Sequence, residues 1–250
     1  MSQFKIHGET DVGLMRENNE DCIDWHLGQA ADSALAIVAD GVGGFAGGEI
    51  ASRLAVEHAR ETVCRTIEKD SESWHAESAR MVWRVMDAVA NANQAIFSVR
   101  SQNTEIGRMG TTLVMALAHG ENICIANVGD SRCYFFRDGV LQQLTIDHSM
   151  AQALYATGVV GINMAYRNVL TKTLGVERCV EPQVIMQATR VNDIYLLCSD
   201  GLSSYIEDEA IAEIIRTTDQ PSKAVKKLVN TANEVGGQDN ISVVLIQRTS

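Results

Sequence analysis

Thr111-Thr-Leu-Val-Met-Ala-Leu-Ala118, Asn122-Ile-Cys-Ile-Ala-Asn-Val128, Ser131-Arg-Cys-Tyr-Phe-Phe136 and Val140-Leu-Gln-Gln-Leu144 are four short apolar runs in one stretch of sequence. Their separators are His119-Gly120-Glu121, Gly129-Asp130 and Arg137-Asp138-Gly139. Such spacings, each with a glycine, are those of β-hairpins, so the stretch reads as an antiparallel meander. Before it, a strand-like run at 34–39 leads into helices from Glu49 to about Ile67 and over 76–101. The second helix repeats Val82, Val85, Val89, Ala92, Ile96 and Val99 at intervals of three and four, which makes one apolar stripe. After the meander come a short helix at 149–157, an irregular stretch to Arg167, and strands near 182–189 and 193–199. Helices near 207–217 and 221–235 and a strand at 240–247 close the chain. The last helix has Pro221 in its first turn, a stripe of Val225, Leu228, Val229, Ala232 and Val235, and Gly236-Gly237 to stop it. Helices paired between groups of strands predict an α+β fold rather than a parallel doubly wound sheet. With no linker or repeat, residues 1–250 read as a single domain.

The composition is that of a globular protein, with 46% hydrophobic residues, 21% charged residues and two prolines in 250 residues. No apolar run approaches the roughly 18 residues of a membrane span. Met1-Ser-Gln-Phe-Lys-Ile-His-Gly8 lacks the basic and apolar regions of a signal peptide, so a cytoplasmic protein without a membrane segment is expected. A formal net charge of −11 disfavours nucleic acid as a partner, because a phosphate backbone demands a basic face. The six cysteines show no Cys-x-x-Cys spacing and the histidines no His-Glu-x-x-His pair, which argues against zinc and redox sites. Cys124 and Cys198 lie inside apolar runs and are expected in the core.

Part of the acid excess is placed with a pattern. Asp40 ends Leu35-Ala-Ile-Val-Ala39, Asp200 follows Ile194-Tyr-Leu-Leu-Cys198, and Asp239 precedes Ile241-Ser-Val-Val-Leu-Ile246. Asp130 separates two further runs, and Glu20-Asp21 sits in a polar segment from Thr10 to Asp24. Carboxylates at strand ends gather at the rim of a sheet. At about 5 Å and an effective dielectric near 20, each like-charged pair would cost roughly 3 kcal/mol, so a cation or a raised pKa must relieve them. Oxygen ligands without Cys or His point to Mg²⁺ or Mn²⁺. Two such ions would lower the pKa of a shared water from 15.7 towards ~7 and make it a nucleophile. Taken singly, each Asp-Gly or Asp-Asn also reads as a turn. Gly41-x-Gly43-x-x-Ala46 after a strand fits a dinucleotide-binding turn as well, but Asp40 would repel a pyrophosphate and no second strand follows the helix. Arg16, four residues before Glu20, is the candidate for gripping an anion, since a guanidinium takes two phosphate oxygens at once.

Thr10-Asp-x-Gly13-x-x-Arg16-x-x-Asn19-Glu20-Asp21 resembles the opening motif of the metal-dependent serine/threonine protein phosphatases, the PPM family or protein phosphatase type 2C. Further segments match that family in order: Val38-Ala-Asp-Gly-Val-Gly-Gly44 with Gly48-Glu49, Gly110-Thr-Thr112, and Asn127-Val-Gly-Asp-Ser-Arg132. Asn168-Val-Leu-Thr171 with Leu174-Gly175, Leu197-Cys-Ser-Asp-Gly-Leu202 and Gly236-Gly-Gln-Asp-Asn-Ile241 complete the series. The resemblance implies a central sandwich of two antiparallel sheets with paired helices on both outer faces. It also implies roles: Asp40 bridges two metal ions, Gly41 contributes its carbonyl, Asp200 and Asp239 complete the pair, and Glu20 assists partly through water. Asp130 matches the site of a third metal shared with Asp200, and Arg16 matches the phosphate-binding arginine.

The reaction so implied is hydrolysis of phosphoserine and phosphothreonine by a metal-activated water, without a phosphoenzyme and without a catalytic cysteine. Phosphorylated proteins, a bacterial serine/threonine kinase among them, are the implied partners of a monomeric enzyme. Val42 stands where many eukaryotic members have a histidine acid, so the leaving group is expected to take its proton from metal-bound water. The flap at 158–167 looks shorter and less acidic than in many bacterial relatives. A pseudophosphatase acting as a binding module is the alternative; it would be expected to lack one of Asp40, Asp200 or Asp239. A partner-switching regulator would be expected to carry a sensory or membrane region.

Overall fold

A computed structural model describes residues 3–28, 31–43, 47–69, 77–103, 109–159, 161, 163, 166 and 168–250. The strands are β1 (Phe4–Asp11), β2 (Asp21–Leu27), β3 (Ser33–Val42), β4 (Gly110–Thr111), β5 (Leu113–His119), β6 (Asn122–Val128), β7 (Arg132–Arg137), β8 (Val140–Gln143), β9 (Gln183–Ala188), β10 (Ile194–Cys198) and β11 (Ile241–Arg248). The helices are α1 (Gly47–Lys69), α2 (Glu77–Gln102), α3 (Met150–Ala156), α4 (Asp200–Ser203), α5 (Asp208–Arg216) and α6 (Pro221–Glu234). One sheet has the order β1-β11-β10-β7-β8 and the other β2-β3-β5-β6-β9, with β4 added at the end of β3. Every pairing is antiparallel.

Strand alternation builds three layers of core. In β3, Ala34, Ala36 and Val38 point between the sheets, while Leu35, Ile37 and Ala39 point outward against α1 and α2. In β10 and β11, Tyr195, Leu197, Val244 and Ile246 point inward, and Leu196, Cys198, Val243 and Leu245 meet the helices α4 to α6. Strands covered on both faces show no polar alternation, which is why they read as unbroken apolar runs. The inward residues are complementary in size: alanines of β3 and β5 face Phe135 and Tyr195, whose rings lie 5.2 Å apart. The α+β expectation, the sandwich and the helix pairs on both outer faces are all present. The α2 stripe is also as expected, with Val85, Val89, Ala92 and Ile96 fully buried.

Four local readings are corrected. The stretch 111–145 is two hairpins in different sheets, β5-β6 and β7-β8, and Gly129-Asp130 crosses between the sheets instead of closing a third hairpin. The polar segment 10–24 is partly strand: β1 and β2 carry polar residues because each is an edge strand of its sheet. β3 runs on to Val42, so Asp40 and Gly41 lie within a strand rather than at its end. Val235 falls at the end of α6 and is exposed, outside the buried stripe. Parts of the glycine-rich turn (44–46) and of the flap reading (160, 162, 164–165 and 167) lie outside the described residues. Among the described residues no helix is long and apolar enough to cross a membrane.

Candidate metal centre

Parity places Asp40. It continues the inward-facing set Ala34, Ala36 and Val38, so its carboxyl emerges between the two sheets at one end of the sandwich. The chain around it is held by threonines: the Asp40 N–H donates to Thr112 Oγ1 at 3.0 Å, and its carbonyl accepts from the Thr112 N–H and Thr111 Oγ1, both at 2.8 Å. Gly41 then passes so close to the start of α1 that a Cβ would stand 2.3 Å from the Gly48 carbonyl oxygen and 2.6 Å from that of Glu20. The Asp-Gly step here is therefore a close approach of backbones and not a turn.

The other segments arrive at the same end. Asp200 is the first residue of α4, directly after β10. Gly201 lies against the chain before β11, where a Cβ would come 2.0 Å from the Asn240 carbonyl oxygen. Asp239 accepts from the Asn240 N–H through Oδ1 at 2.9 Å and from Arg16 Nη2 through Oδ2 at 2.8 Å. Asn240 also fastens the loop that carries Arg16 and Glu20. Its Oδ1 accepts from the Glu20 N–H at 2.8 Å, and its Nδ2 donates to the carbonyls of Val12 (2.9 Å) and Asn18 (3.0 Å). Asp130 comes from the crossover between β6 and β7.

All seven residues singled out in the sequence, Arg16, Glu20, Asp40, Gly41, Asp130, Asp200 and Asp239, line one cavity of about 260 Å³. Crowding shows in the acidities. Burial, then the charges of Asp21, Asp200, Asp130 and Asp239, hold the Asp40 carboxyl well above the usual carboxylate range. Burial and Asp239 raise Asp200, against a hydrogen bond with Asp40 and the charge of Arg16. Asp130 is pushed up to about 7 by burial, Asp200 and Asp147. Glu20 is raised by burial, with Arg16 opposing and Asp239 and Glu49 adding. Three of the cysteines are disfavoured as nucleophiles: burial pushes the Cys22 thiol up to about 11 and those of Cys124 and Cys198 up to about 12. Cys124 and Cys198 are core residues, as expected.

Whether these residues suit a divalent cation can be judged from their chemistry. The donors are oxygens throughout, they are crowded and partly buried, and a hard cation would offset their repulsion. Among the described residues, no group of three or more Asp, Glu, His or Cys side chains is arranged to hold an ion as it stands. Arg16 instead holds Asp239 Oδ2, a pairing that a divalent cation would replace by neutralising the same charge, so the donor set fits.

Further residues contribute, among them Asp21, which the sequence placed beside Glu20 without a role of its own. Asp21 lies opposite Asp40 in the β2-β3 register, is buried, and has an Oδ2 without a hydrogen-bond partner. Burial pushes it up to about 8, with Asp200 and Asp239 adding and the Ser242 and Ser199 hydroxyls opposing. Its inward parity with Ile23 was the available signal. Asn168 and Leu170 also line the cavity, and Asp130, Asn168 and Asp200 continue into a neighbouring one of about 300 Å³.

The chain is similar to known proteins over most of its length. The family described as protein phosphatase 2C matches residues 15–245. The chain is 34% identical to the serine/threonine phosphatase stp of Listeria monocytogenes serotype 4b (strain F2365), over 97% of this chain and 96% of that protein. The crystal structure of the PstP serine/threonine phosphatase catalytic domain, in complex with two manganese ions, superposes with a TM-score of 0.83 at 32% identity and covers 100% of both chains. The S. agalactiae serine/threonine phosphatase gives a TM-score of 0.86 at 29% identity, covering 98% of this chain and 99% of that one. The chain thus belongs to the protein phosphatase 2C family and is a protein phosphatase.

Proposed function

We propose that this phosphatase hydrolyses phosphoserine and phosphothreonine in proteins, with two or three Mn²⁺ or Mg²⁺ ions held by the carboxylates of the cavity. The observation that carries this reading is the meeting of Arg16, Glu20, Asp40, Gly41, Asp130, Asp200 and Asp239 on one cavity from separate stretches of chain. The serine/threonine phosphatase stp and the manganese complex of PstP, both similar over nearly the whole chain, support the substrate class and the metal.

In this reading Asp40, the Gly41 carbonyl, Asp200 and Asp239 would hold the central pair of ions, with Glu20 assisting, and Asp130 with Asp200 would hold a third. Bound cations would supply a water acidified towards neutral pH and positive charge beside the phosphoryl oxygens. The hydrogen bonds from Thr111 and Thr112 keep the Asp40 backbone in register while its carboxylate changes partners. Arg16, half-exposed at the rim, leaves Asp239 for the phosphoryl group and so exchanges one anionic partner for another. Val42, after Gly41, offers no proton, so the leaving alkoxide takes none from that position.

Residues 1–250 act as one catalytic domain, monomeric and cytoplasmic, whose substrates include the serine/threonine kinase that it opposes. The test is Mn²⁺-dependent phosphate release from a phosphothreonine peptide, abolished by chelator and reduced to nearly nothing by Asp40→Asn and by Asp239→Asn. Full turnover by Asp239→Asn in Mn²⁺ would overturn the site assignment. Peptide binding without turnover by the unsubstituted protein would make it a binding module instead.

A further inference from the structure

The Gly129 peptide, which precedes Asp130, is gripped on both sides by His148. Its N–H donates to His148 Nδ1 at 3.0 Å, and its carbonyl accepts from the His148 N–H at 2.9 Å. Asn127 Nδ2 donates to the same carbonyl at 3.3 Å. Gly129 has φ +109, and a Cβ there would come 2.6 Å from Thr112, so the turn is pressed against the threonine that holds Asp40. An Nδ1 that accepts carries no proton, which places the ring proton on Nε2. Burial and Lys172 both disfavour a charged ring, against Asp147, and Asp147 is itself engaged in a two-pronged pair with Arg132.

His148 also faces the other way. Its carbonyl accepts from the Thr171 N–H at 2.8 Å, Ser149 forms a β-bridge with Leu170, and the Met150 N–H donates to the Val169 carbonyl at 2.7 Å. Residues 148–150 and 169–171 thus form a short ladder beside Asn168 and Leu170, which line the same cavity as Asp130. One residue joins the Asp130 turn to the segment at the cavity wall.

We infer that His148 is a positioning residue: by accepting from the Gly129 N–H it fixes where the Asp130 carboxylate stands beside Asp200, and it ties that position to the segment 168–171. The inference rests on the proposed reading of Asp130 as a cation ligand. A ring that merely filled space would not need an acceptor at the δ position. Asparagine carries an oxygen at that position, glutamine carries its oxygen one atom further out, and leucine carries no acceptor.

The experiment compares H148N, H148Q and H148L with the unsubstituted protein. Amide exchange at Gly129 is followed by NMR in chelator, and Mn²⁺ binding by calorimetry. H148L and H148Q are expected to exchange the Gly129 amide about tenfold faster and to weaken the weakest Mn²⁺ binding event by about tenfold, leaving the tighter events unchanged. H148N is expected to restore both to within about twofold. If H148N is as impaired as H148L, or if H148L keeps full Gly129 protection, the inference is overturned. Should H148L not fold, the H148N and H148Q pair makes the same comparison. D130N separates the underlying reading: if it alters no Mn²⁺ binding event, Asp130 is not a ligand, whatever the Gly129 exchange shows about His148.

Discussion

Asp21 and Asp40 stand directly opposite each other on neighbouring antiparallel strands, both facing between the sheets. Residues so paired lie side by side, and like charges there are destabilising. Among the described residues Asp21 has no cation partner, and its Oδ2 has no hydrogen-bond partner. Asp21→Asn, which keeps the shape and removes the charge, is expected to stabilise the chelated protein at pH 9 by about 1 kcal/mol. That raises its melting temperature by roughly 2–4 °C. At pH 6 the folded carboxyl is protonated but the unfolded one is not, so a smaller part of the gain is expected to remain, closing only as pH falls towards 3.8. A lower melting temperature for the variant at pH 9 would show that the carboxylate is held favourably there.

The same acidities set the pH dependence of stability. Asp130 (about 7) and Asp21 (about 8) are raised from 3.8, so between those values the folded chain binds more protons than the unfolded one. The sign is therefore fixed: in chelator, these groups stabilise the fold at low pH, and their contribution is lost as pH rises through about 7 and 8. Melting temperature in chelator is expected to be higher at pH 6 than at pH 8. Mn²⁺ competes with protons for the same oxygens, so in excess Mn²⁺ the difference closes or reverses. Differential scanning fluorimetry at both pH values, with and without Mn²⁺, checks this.

Arg16 is half-exposed and its pairing with Asp239 is monodentate, so little of the fold depends on it. Arg16→Ala is expected to raise KM for a phosphopeptide about ten- to hundredfold, the worth of a charged hydrogen-bonding group, with kcat changed far less. Arg16→Lys, which keeps the charge but not the two-pronged grip, is expected to fall between. A fall in kcat with KM unchanged would instead place Arg16 in the transition state alone.

The layers of the fold were legible because strands covered on both faces must be apolar throughout, as in Ala34–Ala39 and Ile241–Ile246. The crossover at Gly129-Asp130 was not, since a glycine and an aspartate between two apolar runs serve a hairpin equally well. What separates the cases is that Ile123 and Ile125 enter the central layer from one sheet and Cys133 and Phe135 from the other, which is tertiary information. The candidate ligands could be named one by one, from spacing and from the family resemblance. Their convergence depends on how the ends of β3, β10 and β11 align, which no local pattern encodes. Asp21 could be named beside Glu20 but not given a role, because its importance comes from pairing with Asp40 across strands, and the polar run 10–24 hides β2.

Gly201 tests whether the close contact between α4 and the chain before β11 sets the geometry of the site. A Cβ at 201 would come 2.0 Å from the Asn240 carbonyl oxygen, a backbone atom that cannot rotate away. Gly201→Ala must therefore push Asp200 and Asp239 apart or shift the strand end, and overpacking of this kind costs about 1–3 kcal/mol. The expected result is a melting temperature lower by several degrees, with Mn²⁺ affinity reduced more than the loss of stability alone would explain. Gly120→Ala is the control: its φ is also positive, at +55, but a Cβ there meets nothing within 4 Å and the site is remote. It should lose a comparable fraction of stability to backbone strain while binding Mn²⁺ normally. If both variants bind Mn²⁺ like the unsubstituted protein, the contact at Gly201 is structural only.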